Sequence, residues 1–410
     1  MRGKLSTIAV FTVILGLLAT ACAPTPEATP VPPTAPSEPE AEATPVPPTA
    51  EPAAKTVIKI GVVGPLTGDF SFGGYQQLNG SLLAAQEINK ADPTVEIQII
   101  AEDDASNCDQ TVNAITKLVT QDEVLAILGA HNSPCTLLSV PVTAQHQVPQ
   151  FTVSVGTDIT KQGSQYIFRI NASAPRQAEE LARIAVEELG YTNVGVLFVN
   201  DEYGRSCAEA FRDALGDHGV EPVVWETWAR GDRDFSGQLT KVQLAEPEAV
   251  YCTGNLADEA LLAQQARQMG LDFVMLGDTG MTGDQLYEWA GEAAVGTICV
   301  SPWTPQKEDP LSQAFTEAFT SEFDGTTPTQ HGAQHYDAVY LIYQFFKEHG
   351  LGPDLAANRQ ALREYAAGLT AETAPKRLMD GMYFDDNGEP LYPMLAVELT
   401  EGGQWKVMGE

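Results

Sequence analysis

Short clusters of hydroxyl, amide, carboxylate and glycine residues recur along this sequence, each at the end of an apolar run. They are Gly64-Pro65-Leu66-Thr67-Gly68, Ala130-His131-Asn132-Ser133, Ser154-Val155-Gly156-Thr157, Asn200-Asp201-Glu202-Tyr203-Gly204, Gly254-Asn255 and Gly277-Asp278-Thr279-Gly280. Such groups donate and accept hydrogen bonds, so the chemistry they offer is recognition of a small polar molecule. Ser133 stands in a turn just before a helical stretch carrying Thr136 and Leu137. The free N–H groups of a first helical turn suit an anion; a serine there can equally be an ordinary N-cap. Patterns built for turnover are missing: no Walker A loop, no G-x-G-x-x-G after the first apolar run, no G-x-S-x-G elbow and no H-E-x-x-H. The six histidines are scattered without metal-ligand spacing. The reading is therefore of a binding protein with no catalytic, cofactor or metal residues. An extracytoplasmic α/β enzyme would need a nucleophile–base pair in a recognised context.

The clusters must be held by the runs that precede them. These are IKIGVVG (58–64), VEIQIIA (95–101), VLAILGA (124–130), QFTVSV (150–155), NVGVLFV (193–199), VVWETW (223–228), AVYCTG (249–254), FVML (273–276) and GTICV (296–300). Between them lie segments of helical period: Leu78, Leu82, Leu83 and Ala85; Val112, Ile115, Leu118 and Val119 behind Asp109 as N-cap; Leu181, Ile184, Ala185 and Leu189 before Gly190; Leu261, Leu262 and Ala266 before Gly270. Near-continuous apolar strands alternating with helices predict parallel sheets covered on both faces. Four runs precede residue 170 and five follow it, which predicts two doubly wound α/β sheets. Ligands of such sheets bind beyond the strands' carboxyl ends, where strand order reverses, and that is where the clusters fall.

The front of the chain is an address. Arg2 and Lys4, the apolar run from Ile8 to Leu18, and Ala19-Thr20-Ala21-Cys22 read as a secretory signal, residues 1–21, too short to span a membrane comfortably. Cys22 fits a lipidated first residue, with plain secretory cleavage as the other reading. Residues 22–54 form a Pro/Ala/Glu-rich tether in which TPVPPTA occurs twice; such sequence favours extended polyproline II over a core. The formal net charge is −32, which argues against nucleic acid or anionic lipid surfaces as partners.

Against this background IKIGVVGPLTGDFSFGGYQQLNGSLLAAQEIN, EDDASNCDQTVNAITKLV, GSQYIFRI, VNDEYGRSCAEAF, DFSGQLTKV, G-D-T-G with AGEAAVGT, HYDAVYLIYQFF and FDDNGE, in this order, resemble the leucine/isoleucine/valine-binding family of type I periplasmic binding proteins. The resemblance runs from Lys55 to Glu410. It implies two Rossmann-like lobes joined by three hinge crossovers, lobe one at 55–170 plus 302–380 and lobe two at 171–301 plus 381–410. It implies a lipid-anchored, extracytoplasmic monomer that closes on an amino acid or similar ligand and feeds an ABC permease. The alternative is a sensory receptor for an amide, urea or small acid, signalling to a membrane kinase or chemoreceptor.

The resemblance also assigns residues. Ser133 would hold a ligand carboxylate. Ser154 and Gly156, with Thr157 beside it, match a loop whose backbone carbonyl takes the ammonium. Tyr203 would pack over the ligand, and Asp278, next to Thr279, would pair with the ammonium. Phe72 keeps an aromatic wall. His131, Asn132, Asn255 and His331 stand where leucine binders carry apolar, sulfur or aromatic side chains, which implies a ligand more polar than leucine. Cys108 matches a half-cystine whose partner position holds Asn132, which makes Cys135 the expected partner. Cys207, Cys252 and Cys299 stay unassigned.

Overall fold

Alternation along the first strand shows how the core is built. In β1 (Thr56–Gly64) Ile58, Ile60 and Val62 point into one apolar cluster and Val63 into another on the opposite face. The structure, a computed structural model, describes residues 55–409. The expected signal peptide, Cys22 and tether lie outside the described residues.

Among the described residues the first sheet has the order β2-β1-β3-β4-β5, all parallel, from β2 (Val95–Asp103), β3 (Ala126–Leu128), β4 (Gln150–Thr152) and β5 (Ile167–Arg169). Helices α2 (Cys108–Thr120) and α3 (Ser133–Gln145) cover one face. Helices α1 (Ser71–Ala91), α9 (Pro310–Glu322), α10 (Gln330–His349) and α11 (Leu355–Ala367) contribute to the core on the other. A Cβ on Gly80 of α1 would stand 2.0 Å from the carbonyl oxygen of Gly332 in α10. Glycine is required at that crossing, which brings the start of α10 against α1.

The second sheet has the order β12-β11-β10-β9-β8-β6-β7. Its parallel part is β6 (Val194–Val199), β7 (Val224–Trp228), β8 (Ala249–Thr253), β9 (Val274–Gly277) and β10 (Ile298–Ser301). Two antiparallel strands, β11 (Leu395–Thr400) and β12 (Gln404–Val407), extend one edge. Helices α4 (Ala174–Arg183) and α5 (Glu202–Asp217) pack on one face, and α6 (Ser236–Ala245), α7 (Leu256–Gln268) and α8 (Gln285–Ala290) on the other. The strand order reverses between β1 and β3 in one lobe and between β6 and β8 in the other.

Several expectations change. Asn107, not Asp109, caps α2 by accepting from the Gln110 N–H; Asp109 sits in the first turn, where a carboxylate favours the helix dipole. Met382, Phe384 and Tyr392 pack in the first lobe's core, so the third crossing falls after Tyr392 rather than at 380. Cys108 is disulfide-bonded to Cys135, which ties the start of α2 to the first turn of α3. Among the described residues Cys207, Cys252 and Cys299 are unpaired and buried, and no helix is long and apolar enough to cross a membrane.

Candidate ligand-binding site

Both reversal points open onto one cavity. Phe70, Phe72, His131, Asn132, Ser133, Ser154 and His331 line it from the first lobe, and Tyr203, Arg230, Asn255, Thr279 and Trp289 from the second.

The first-lobe wall is built around the head of α3. Ser133, 2% exposed, is the first residue of the helix, and its Oγ accepts the Gly156 N–H at 3.1 Å. Its hydroxyl hydrogen is thereby turned away from Gly156. Asn132 occupies the cap position without a side-chain capping bond. The Ser154 hydroxyl bonds Thr136 Oγ1 (2.6 Å) and the His131 carbonyl (2.8 Å), which pins β4's end to α3. His131 Nδ1 accepts from the Gln77 amide at 2.9 Å, and the ring meets His331 edge-on at 5.1 Å. Burial lowers the His131 pKa to about 4, so the imidazole is neutral at pH 7.

Each of the carbonyls expected to receive an ammonium already accepts one hydrogen bond from within the protein. Arg169, fully buried, donates to the Ser154 carbonyl and to the Gly156 carbonyl (2.9 Å), and pairs with Glu389 at 2.9 Å. The Val155 carbonyl accepts from Ala174 N (2.9 Å) and that of Val153 from Asn171 Nδ2 (3.1 Å). Gly156 and Thr157 do not line the cavity. A Cβ on Gly156 would stand 2.3 Å from Glu202 Oε1, and the Thr157 N–H donates to Ser206 Oγ at 3.3 Å. Both residues therefore face α5 of the second lobe.

Asp278 is also withdrawn from the cavity. Its carboxylate accepts from Tyr203 Oη (2.8 Å), Thr253 Oγ1 (2.9 Å), Tyr251 Oη (3.3 Å) and the Gly280 N–H (2.8 Å). A carboxylate so surrounded has no lone pair aimed at a ligand, which corrects its expected pairing with an ammonium. Tyr203 itself does line the cavity. Burial, reinforced by the Asp278 charge, holds its phenol well above the usual pKa, so it stays a donor to Asp278. Thr279 is fixed by Gln177, Asn171 and Gln330. Asn255 caps α7 and donates to Asp258 at 2.8 Å, so its polar atoms serve the helix. The polarity read from His131 and Asn255 is thus met within the protein.

Sequence reasoning missed Phe70, Arg230, Trp289 and Gln330. Arg230 follows β7 by two residues, so the carboxyl-end rule applied to that strand would have found it. Its guanidinium pairs with Asp201 and lies 4.7 Å over the Phe70 ring, which joins the two lobes. Trp289 lies on α8, away from any strand end, and carried no such signal.

Residues 57–404 match the family described as "Periplasmic binding protein". The chain is similar to a Leu/Ile/Val-binding protein homologue of Brucella melitensis, 28% identical over 78% of this chain and 86% of that one. It is also similar to a leucine-, isoleucine-, valine-, threonine- and alanine-binding protein of Pseudomonas aeruginosa, 29% identical over 66% and 72%. Among solved structures it resembles the branched-chain amino acid transporter substrate-binding protein of Streptococcus pneumoniae bound to isoleucine, with 25% identity, a TM-score of 0.76, and 86% and 99% coverage.

Proposed function

The chain belongs to the periplasmic binding protein family, and we propose that it is the exported solute receptor of an ABC importer, closing its two lobes on an amino acid or a similar small acid. One observation carries the reading: the loops at both strand-reversal points line a single cavity that holds Ser133, the head of α3, and Arg230. A ligand carboxylate would accept from the Ser133 hydroxyl and the first-turn amides of α3. The names of the relatives, which include a transporter substrate-binding protein, support delivery to a permease over signalling. The signal, Cys22 and the proline-rich tether support a protein anchored by lipid outside the cytoplasmic membrane.

The test is a thermal-shift screen of amino acids and small carboxylic acids, with hits repeated by calorimetry. A ligand at 100 times its Kd stabilises by about 2.7 kcal/mol, and Ser133→Ala should weaken the hit. A screen in which no small acid stabilises the protein would sink the reading. For the anchor, Cys22→Ser should move the protein from the membrane fraction to the soluble exported fraction. Continued membrane association of that variant would remove lipid as the tether.

A further inference from the structure

A carboxyl group is pressed into the seam between the lobes with one of its oxygens unpaired. Glu202 heads α5 in the second lobe. Its Oε1 accepts the Ser206 hydroxyl at 3.1 Å, and Ser206 Oγ in turn accepts the Thr157 N–H of the first lobe at 3.3 Å. Its Oε2 is shielded from solvent and has no partner within the protein. Across the seam stands Gly156, where a Cβ would lie 2.3 Å from Oε1 and 2.7 Å from Oε2. Only glycine lets the carboxyl group approach the first-lobe backbone so closely. The same glycine donates its N–H to Ser133 Oγ at 3.1 Å, so the seam adjoins the cavity wall.

A charge placed here loses water without gaining a donor at Oε2. The ionisable groups that bear on Glu202 come from both lobes. Asp201 and the Cys207 thiol lie on its own helix or at its cap, and Asp158 and Arg169 face it from the first lobe. The two aspartates oppose its charge. Arg169 favours it, but that guanidinium is bonded to Glu389 and to the Ser154 and Gly156 carbonyls. Burial outweighs the Ser206 bond and raises the Glu202 pKa above the ordinary glutamate range. The head of α5 favours the carboxylate, but it travels with Glu202 and acts alike whether the lobes are together or apart. Parting of the seam exposes Oε2 to water and removes the first-lobe groups, so the carboxyl group then titrates in its ordinary range.

We propose that closure of the lobes is coupled to proton uptake by Glu202, the neutral carboxyl favouring the closed arrangement and the carboxylate the open one. The device belongs to the lobe movement and goes beyond the identity of the ligand. Its sign follows from linkage: the closed state holds the proton to higher pH, so closure strengthens as pH falls through that window, at most tenfold per pH unit for one group.

Small-angle scattering of the purified, ligand-free protein at pH 5 and pH 8 tests it, with Glu202→Gln as the neutral mimic. The parent should be more compact at pH 5 than at pH 8, and the variant at pH 8 should match the parent at pH 5. Calorimetry with isoleucine, neither of whose ionisable groups titrates between these values, gives the second reading. The parent Kd should be at least threefold weaker at pH 8 than at pH 5. Glu202→Gln should bind equally at both and at least threefold tighter than the parent at pH 8, a gain that mere loss of packing does not produce. Should that variant fail to fold, Ser206→Ala, which removes the donor to Oε1, should move the parent's compaction to higher pH. A parent radius that does not change with pH, or the same pH profile in parent and variants, overturns the proposal. If isoleucine does not bind, the scattering decides by itself: compaction on acidification that Glu202→Gln abolishes upholds the device, and the missing heat counts against the amino-acid reading alone.

Discussion

Ser133 serves two partners at the head of α3. It accepts the Gly156 N–H, and its hydroxyl hydrogen is available to an anion. A hydrogen bond to a charged group is worth about 1.5–3 kcal/mol, so Ser133→Ala should raise the ligand Kd by roughly ten- to a hundredfold in calorimetry. An unchanged Kd would place the anion elsewhere. His131 makes a second prediction at this scale. Its ordinary pKa is near 6.5, and in the fold burial lowers it to about 4. Between those values the unfolded chain binds the additional proton, so stability falls as pH drops from 6.5 towards 4. The slope is at most about 1.4 kcal/mol per pH unit for this group. His335, lowered to about 3, acts in the same direction, whereas buried Asp337, raised to about 7, opposes it because the folded state keeps its proton longer. Comparing His131→Gln with the parent cancels those neighbours: urea denaturation should show a flatter pH dependence between 4 and 6.5. Parallel curves would mean that His131 titrates as if hydrated. Ser133 and Tyr203 line the cavity at strand ends, a position that chain order alone makes visible, whereas Phe72 and His331, named through the family resemblance, line it from α1 and α10. The sequence mislocated Asp278, Gly156 and Thr157 because a residue's type does not say which donors surround it once folded.

At the scale of elements, two links hold the cavity wall in place. The Cys108–Cys135 bond joins α2 to α3 across a sequence separation of 27 residues. Chain-entropy arithmetic gives a closed loop of that length about 3–4 kcal/mol. The double substitution Cys108→Ala and Cys135→Ala should lower the urea-unfolding free energy by that amount and weaken ligand binding through a looser α3. Equal stability of both forms would mean that the bridge costs the folded state as much as it costs the unfolded chain. Arg169 ties β5 to Glu389 and to the end of β4. Removing one partner of a buried pair costs about 3–5 kcal/mol, so Arg169→Met should lower the urea midpoint steeply. A loss below 1 kcal/mol would mean that Glu389 finds water instead. The apolar runs gave away β1 to β4 and β6 to β10, since strands buried on both faces read as continuous hydrophobic segments. They did not reveal β5, whose short apolar run is broken by Arg169, or β11 and β12, whose burial is partial and whose sequences include Glu398, Thr400, Gln404 and Lys406. The third crossing was misplaced for a related reason: Phe384 and Tyr392 are apolar landmarks within irregular chain, where no periodicity shows which core they join.

The whole molecule is in a closed arrangement, because side chains from opposite lobes already meet around the cavity. Thr282 Oγ1 bonds Gln330 Oε1 at 2.7 Å, Gln330 also donates to the Thr279 carbonyl, and Arg230 lies over Phe70. A ligand that enters between the lobes needs contacts of this kind to break and re-form, so two global states must exchange. Each cross-lobe contact is a modest hydrogen bond or cation–π pair, worth about 0.5–1.5 kcal/mol. A few such terms cannot hold the lobes together against the solvation of two polar surfaces unless a ligand adds its own contacts to both. The free protein should therefore populate an open state, and the ligand should shift it towards the closed one in proportion to its preference for that state. Small-angle scattering should show a smaller radius of gyration with ligand than without it. Trp289, half-exposed on the second-lobe wall, should change its fluorescence along the same titration. If the radius is already minimal without ligand while calorimetry shows binding, the closed state is the resting one, and entry must proceed by a rare opening that would appear as an association rate well below 10⁵ M⁻¹s⁻¹.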